Sequence, residues 1–383
     1  MTTRQKNACV LVAVVVAAIA GAVLAGRGGG AARGGPSALD AVPPGTFLVA
    51  ALDARGLRAS AIAAPLASFA SRMGGLRGAE AVCGFDPLSR LDELVVAIPE
   101  AGDSGEFGVA MRTSGPRDDL AECARKVIAE RGGDPAVSRE GARIRVADRS
   151  VAGSGRPELV FDDRGRVFLG RGAWLAQMPA GAASPAAAGS AHGDLRRALG
   201  PAPAVAITAL LPQALRDRLR REMAEEAAVS DDAGGGGGRN VAMAGVLGVK
   251  AAAIGVSADD HGATELRAEL HCETEGDCGA VKRLLEKKRD GWSKDASLRL
   301  VGLGAVVDGL TFTLRGDALV ATTRIASDDA ARLLERLIDL RFPRPEARPP
   351  TPRAPASAPP QPAPDEVIRP LAKPSLDGGD GGR

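Results

Sequence analysis

Eighteen consecutive residues near the amino terminus, Ala8 to Ala25, carry no charge. In a helix at ~1.5 Å per residue they span roughly 27 Å, just short of a ~30 Å hydrocarbon core. Arg4 and Lys6 precede the run and no acid accompanies them. A basic segment, an apolar run and small residues at its end make an export signal. Val23 and Ala25 fit the small-residue positions of a cleavage site before Gly26. Left uncleaved, the same run serves as an anchor. It has no polar face, so it does not read as the surface helix of a soluble domain. Cys9 lies at its start rather than after its end, which argues against a lipid-modified cysteine. Arg4, Lys6, Arg27 and Arg33 flank both sides, leaving a mild preference for an inward amino terminus. Residues 1–25 are expected to be a signal peptide or signal anchor. The membrane is then a partner through residues 8–25 where the run is retained, and the rest is exported or faces the periplasm.

Beyond that run, composition mainly excludes. The 49 basic and 47 acidic side chains of this 383-residue chain leave a net charge of +2. A chain-wide electrostatic grip on nucleic acid is therefore disfavoured. Aromatics are 3% with no Tyr, which disfavours a stacking platform for bases. The 73 Ala and the ratio of 41 Arg to 8 Lys match the codon bias of a GC-rich bacterial genome, which blurs propensity arguments.

Residues 26–45 are mostly Gly, Ala, Arg and Pro and read as a flexible spacer. Residues 343–383 hold 12 prolines and read as a disordered tail. Their Pro349 and Pro352 pair reads as solvated tail, and Asp377 to Asp380 lacks the further oxygens of a calcium loop. Residues 179–192, rich in Ala, Gly, Ser and Pro, read as a linker. Between these lie two segments, 46–178 and 193–342. In the first, Phe47–Leu52, Leu91–Ile98, Phe107–Met111, Ile144–Val146, Leu159–Phe161 and Val167–Leu169 read as strands. Ile62, Leu66, Phe69 and Met73 recur at helical spacing, and a second helix carries Leu120 to Ile128 and stops at Gly132-Gly133. The second segment repeats the order: strand Ala204–Leu211, a helix after Pro212, strands Val249–Val256 and Glu265–His271, a helix with Val281, Leu284 and Leu285, then strand Leu310–Arg315. Ser327 starts a closing helix. Landmarks match at nearly one offset: Phe47 with Ala204, Leu91 with Val249, Glu106 with Ala263 and Cys123 with Cys278. Arg143–Val146 matches Thr311–Leu314 only with an insertion in the second segment.

Four cysteines lie outside the apolar run, an even count that suits disulfides in an exported chain. Cys272 and Cys278 join a strand end to a helix start, close enough for a bridge. The preferred pairs are Cys272–Cys278 and Cys83–Cys123, against four small buried thiols. His271 beside Cys272 does not make a zinc site, because neighbours on a strand face opposite ways. The other histidines, His192 and His261, each stand beside Gly without a partner motif. Gly234 to Gly238 is followed by Arg239-Asn240, not the Lys-Ser or Lys-Thr of a phosphate cradle. Ser104 and Ser154 sit in turn-like contexts, and Gly302-Leu-Gly304 lacks the third glycine of a dinucleotide fingerprint. Asp259-Asp260 and Asp328-Asp329 read as a turn and a helix start. No catalytic, cofactor-binding or metal-binding residue is assigned.

Val42-Pro-Pro-Gly-Thr-Phe-Leu-Val-Ala-Ala-Leu-Asp53, with Leu57-Arg-Ala-Ser60 after it, resembles the opening of exported proteins from GC-rich, myxobacterium-like bacteria. The resemblance implies a signal, an α+β body and a proline-rich end, and no site residue. The expected fold is α+β: two related units, each a mainly antiparallel sheet with helices packed on one face. The expected role is a non-catalytic binding or structural scaffold of the cell envelope, with a protein partner or self-association. The alternative is a periplasmic enzyme or ligand-binding module with its site between the two units.

Overall fold

Twelve strands form one antiparallel sheet, in the order β11-β12-β10-β9-β8-β1-β2-β3-β7-β6-β5-β4. The computed structural model describes residues 37–66, 78–99, 107–151, 156–181, 190–200, 203–230, 245–258, 263–300 and 302–341. A 3-10 turn at Ala38–Ala41 opens the described chain. The strands are β1 (Thr46–Asp53), β2 (Leu91–Pro99), β3 (Gly108–Thr113), β4 (Pro135–Glu140), β5 (Arg143–Asp148) and β6 (Glu158–Phe161). They continue as β7 (Arg166–Gly170), β8 (Val205–Leu210), β9 (Val249–Ala258), β10 (Ala263–Cys272), β11 (Thr311–Arg315) and β12 (Ala318–Ala326). The helices are α1 (Ala54–Arg58), α2 (Ala79–Cys83), α3 (Arg117–Glu130), α4 (Gly172–Gly181) and α5 (Ser190–Ala198). After them come α6 (Gln213–Ser230), α7 (Glu275–Trp292), α8 (Ala296–Leu300), α9 (Gly304–Asp308) and α10 (Ser327–Arg341). The apolar run at 8–25 and the tail at 343–383 lie outside the described residues. Among the described residues no helix is long and apolar enough to cross a membrane.

The fold is α+β with a mainly antiparallel sheet, and the two expected segments share that sheet. Segment 46–178 supplies β1 to β7, segment 193–342 supplies β8 to β12, and they join where β1 pairs with β8. One line of register partners crosses all twelve strands. It runs Phe312, Ala321, Ala268, Ile254, Ile207, Ala50, Val96, Val109, Leu169, Leu159, Val146 and Val137. Every member is apolar. Side chains alternate faces along a strand, so the apolar residues of each strand fall on the same side only if every register is set to match. Along this face α1, α3, α7 and α10 bury their apolar sides. Leu57 of α1 and Ala330 of α10 pack with Leu52 and Val96; Leu120 of α3 with Ile144; Cys278 and Val281 of α7 with Leu319.

Over the middle strands the opposite face is covered too. The sheet there presents small residues: Ala51, Ala97, Ala110, Ala206 and Ala253. Trp174, Leu175 and Met178 of α4, Leu195 of α5 and Leu199 just after it pack against them. Glycine lets the helices approach closely. A Cβ on Gly108 would lie 2.3 Å from Met178 Sδ, and one on Gly255 would lie 2.9 Å from Leu199 Cδ1.

Three expectations need correction. Residues 37–45 are not spacer: Ala38, Ala41 and Val42 are fully buried beneath the sheet. Ser37 caps the turn, accepting from Leu39 N while Asp40 bonds back to Ser37 N. Of the linker read at 179–192, residues 179–181 end α4 and residues 190–192 begin α5; residues 182–189 lie outside the described residues. Its composition misled because alanine, a turn-neighbour here, is also the strongest helix former. The match of Arg143–Val146 with Thr311–Leu314 does not hold by strand order: β5 lies one strand in from the β4 edge, and β11 is the opposite edge. Two further elements, β4 and β12, give no clear period in sequence. β12 lies between β10 and β11 and mixes apolar and polar residues on each face, Leu319 and Thr323 on one and Val320 and Arg324 on the other, so no alternation marks it.

Candidate functional site

Buried polar side chains, Thr46, Glu93, His192 and Thr208, gather where α5 crosses the β1–β8 seam. Its inward stripe is His192, Leu195, Arg196 and Leu199, the three-and-four spacing of one helix face. Leu195 and Leu199 seat the helix on Ala206, Ala251 and Ala253. His192 is 2% exposed, with Nε2 3.1 Å from the Thr46 carbonyl oxygen and Nδ1 2.8 Å from Thr208 Oγ1. A carbonyl only accepts, so Nε2 carries the proton and Nδ1 accepts from the Thr208 hydroxyl. One side chain thus ties α5 to both strands of the seam. Burial pushes the His192 pKa below its ordinary 6.5.

Glu93, buried on β2, takes up the neighbouring polar load. It accepts from Ser37 Oγ at 2.7 Å, from the Ala38 amide at 2.8 Å, and from Arg196 Nη1 at 3.4 Å. The 3-10 turn and α5 are thereby held to one carboxylate. Each buried polar side chain of this cluster has its partners in place, which removes the cost of burying it. The cluster fastens helices to a sheet and leaves neither His192 nitrogen free to move a substrate proton.

The pH consequence follows from the sign of the shift. The unfolded chain takes up a proton on His192 below about 6.5 and the folded chain resists it, so acid favours unfolding. The contribution is complete at neutral pH and declines as pH falls through about 6.5, levelling below the folded value. His192→Gln keeps a donor for Thr46 and an acceptor for Thr208 but does not titrate. Urea unfolding of the wild type is expected to show stability dropping in this window, and the variant to show a shallower slope. Equal slopes would contradict the assignment.

On β10, beyond α5, the same face carries a charged ladder. Glu265 meets Arg324 at 2.9 Å, and Glu269 meets Arg267 at 3.6 Å and His271 at 3.0 Å. His271 is occupied there while Cys272 points to the apolar side, where it is bonded to Cys278. Among the described residues no three His, Cys, Asp or Glu side chains are grouped to hold a metal ion.

The cysteines pair as Cys83–Cys123, with Cα atoms 4.8 Å apart, and Cys272–Cys278, at 5.6 Å. The first ties α2 to α3. The second ties the end of β10 to α7, whose first turn is set by reciprocal bonds between Thr274 and Asp277. Gly302 and Gly304 stand at the start of the five-residue α9, not between a strand and a long helix. Asp328 and Asp329 lie in the first turn of α10. Ser104, Ser154, Gly234–Gly238, Asp259, Asp260 and His261 lie outside the described residues. The two expected segments meet at β1 and β8, which are hydrogen-bonded neighbours.

The described residues missed in sequence are His192, Glu93 and Ile254. The helical stripe through His192 is hidden in sequence by the flanking Ala and Gly composition. Ile254 stands in the apolar line of the sheet and is 53% exposed, although β9 is an interior strand. It lies between the cluster under α10, which includes Val256, and the cluster under α7, which includes Val249 and Leu270.

These features define an α+β protein with one twelve-stranded sheet, a sealed polar seam on one face and an open apolar stretch on the other. No family model matches the chain, and no curated protein does. A solved structure of the protein TP0453, in its crystal form I, is similar at 11% identity and a TM-score of 0.38, covering 80% of this chain and 100% of that one.

Proposed function

We propose that this is a non-catalytic protein of the cell envelope, anchored or exported through residues 1–25, that acts as a binding scaffold. Its sheet is built from two copies of one unit. The observation that carries the reading is Ile254. Outward from the seam the strands run β1, β2, β3, β7, β6 in one half and β8, β9, β10, β12, β11 in the other. The seam pairs Ala50 with Ile207, and the next partners outward are Val96 in one half and Ile254 in the other. Val96 is 2% exposed and Ile254 is 53% exposed. The first half covers its apolar line with α1 and the buried Ile62 and Leu66. Among the described residues nothing packs over the matching place in the second half, and we assign that exposed apolar position on an interior strand to a partner surface. Duplication is further supported by the disulfides, each of which ties the helix after the third strand of its half, α3 or α7, through Cys123 or Cys278. Two disulfides suit an oxidising compartment.

The test is photocrosslinking in cells, with benzoylphenylalanine in place of Ile254 or, as a control, Val137, which is 44% exposed at the other end of the line. A discrete adduct at 254 and none at 137 is expected. No adduct at 254, or the same adducts at both, would overturn the reading.

A further inference from the structure

The two edges of the sheet differ. β4 is guarded: it begins with Pro135, ends in Arg139-Glu140, and Arg139 pairs with Asp118 at 2.8 Å. Proline and charge are the usual means of keeping an edge strand unpaired. β11, Thr311-Phe-Thr-Leu-Arg315, has no proline and no charge before its last residue. Thr311, Thr313 and Arg315 are exposed on one face, and Phe312 and Leu314 lie partly buried under α7 on the other.

We propose that β11 is the self-association edge, pairing antiparallel with β11 of a second copy about a two-fold axis at Thr313. The strand is self-complementary about that residue. Phe312 meets the partner's Leu314 on the apolar face, and Leu314 meets the partner's Phe312. Thr313 meets its own copy on the opposite face, and Thr311 meets the partner's Arg315. Apolar and Thr–Thr cross-strand pairs are favourable, and the interface is isologous, so it closes at two subunits. Arg289 Nη1 bonds the Leu310 carbonyl, which places the carboxyl end of α7 beside the start of β11, on the face of Phe312 and Leu314. Trp292, in the last turn of α7, is 43% exposed at the same end. The seam already joins the two halves in this manner, with β1 and β8 antiparallel and line partners Ala50 and Ile207 directly opposed. The proposal stands independently of the role given to Ile254.

The experiment uses the full chain in detergent, with Cys9→Ala in every variant. Thr313→Cys should form a disulfide-linked dimer on mild oxidation, because directly opposed residues have Cβ atoms about 4.5–5.5 Å apart. Thr311→Cys should not, since its copy lies four strand positions away. Thr313→Lys, which sets like charges face to face on an exposed position, should lower the dimer fraction in sedimentation equilibrium. Crosslinking at 311 equal to that at 313, no crosslinking at either, or a dimer fraction unchanged by Thr313→Lys would each overturn the proposal. A monomer that captures an extended peptide at this edge instead would appear as absent crosslinking at 313.

Discussion

Replacing Cys83 and Cys123 together by alanine is expected to destabilise the protein more than replacing Cys272 and Cys278. The bridges close very different lengths of chain, with sequence separations of 40 and 6. Constraining the unfolded chain contributes about 4 kcal/mol for the long loop and about 2 kcal/mol for the short one. The local context does not reverse that order. Cys272 and Cys278 are fully buried, but they sit at a helix start already held by Thr274 and Asp277. α2 is five residues long and makes no side-chain cap bond, so the Cys83 bridge is its main fastening to α3. Urea unfolding of the two double variants measures the difference directly. Equal losses, or a larger loss for the short loop, would sink the loop-closure account.

The second large effect separates two apolar residues of interior strands. Phe168 on β7 is 0% exposed and packs among Val95, Ala110, Trp174 and Met178. Phe168→Ala should cost about 3–5 kcal/mol, the loss of a buried ring plus the cavity it leaves. The Arg166 guanidinium lies 5.6 Å from the ring centroid and is itself buried against Asp162, so the surroundings have little freedom to collapse. Ile254→Ala, also in an interior strand, should change stability by less than about 0.5 kcal/mol, as exposed positions do. Chemical denaturation of both variants would show it. A large loss at Ile254 would mean that its side chain is part of the core, and the binding surface proposed for it would fail.

Much of the strand content was legible because it rests on alternation. Glu265 to His271 interleaves with Leu266, Ala268 and Leu270, and the structure puts the charges on one face and the apolar residues on the other. Asp162-Asp-Arg-Gly165 was legible as a turn for a local reason. Asp162 accepts from the amides of Arg164 and Arg166, and Gly165 takes a φ of 75°. β12 was not legible, since each of its faces mixes apolar and polar residues, Leu319 with Thr323 and Val320 with Arg324. α5 was not legible, since its stripe of His192, Leu195, Arg196 and Leu199 is set among residues that read as linker.

The sequence by itself determined local matters: where strands alternate, where α3 stops at Gly132, and which cysteines lie near enough in chain to meet. These depend on neighbours within a few residues, where backbone sterics and period suffice. Only the tertiary structure decided that the two segments form one sheet rather than two bodies, because the β1–β8 pairing joins residues such as Ala50 and Ile207 that no local rule connects. It also decided which of two apolar residues at matching places, Val96 and Ile254, is core and which is surface. Apolarity is written in the chain. Burial depends on what the rest of the chain lays over it, and here α1 packs over Val96 while Ile254 stays 53% exposed.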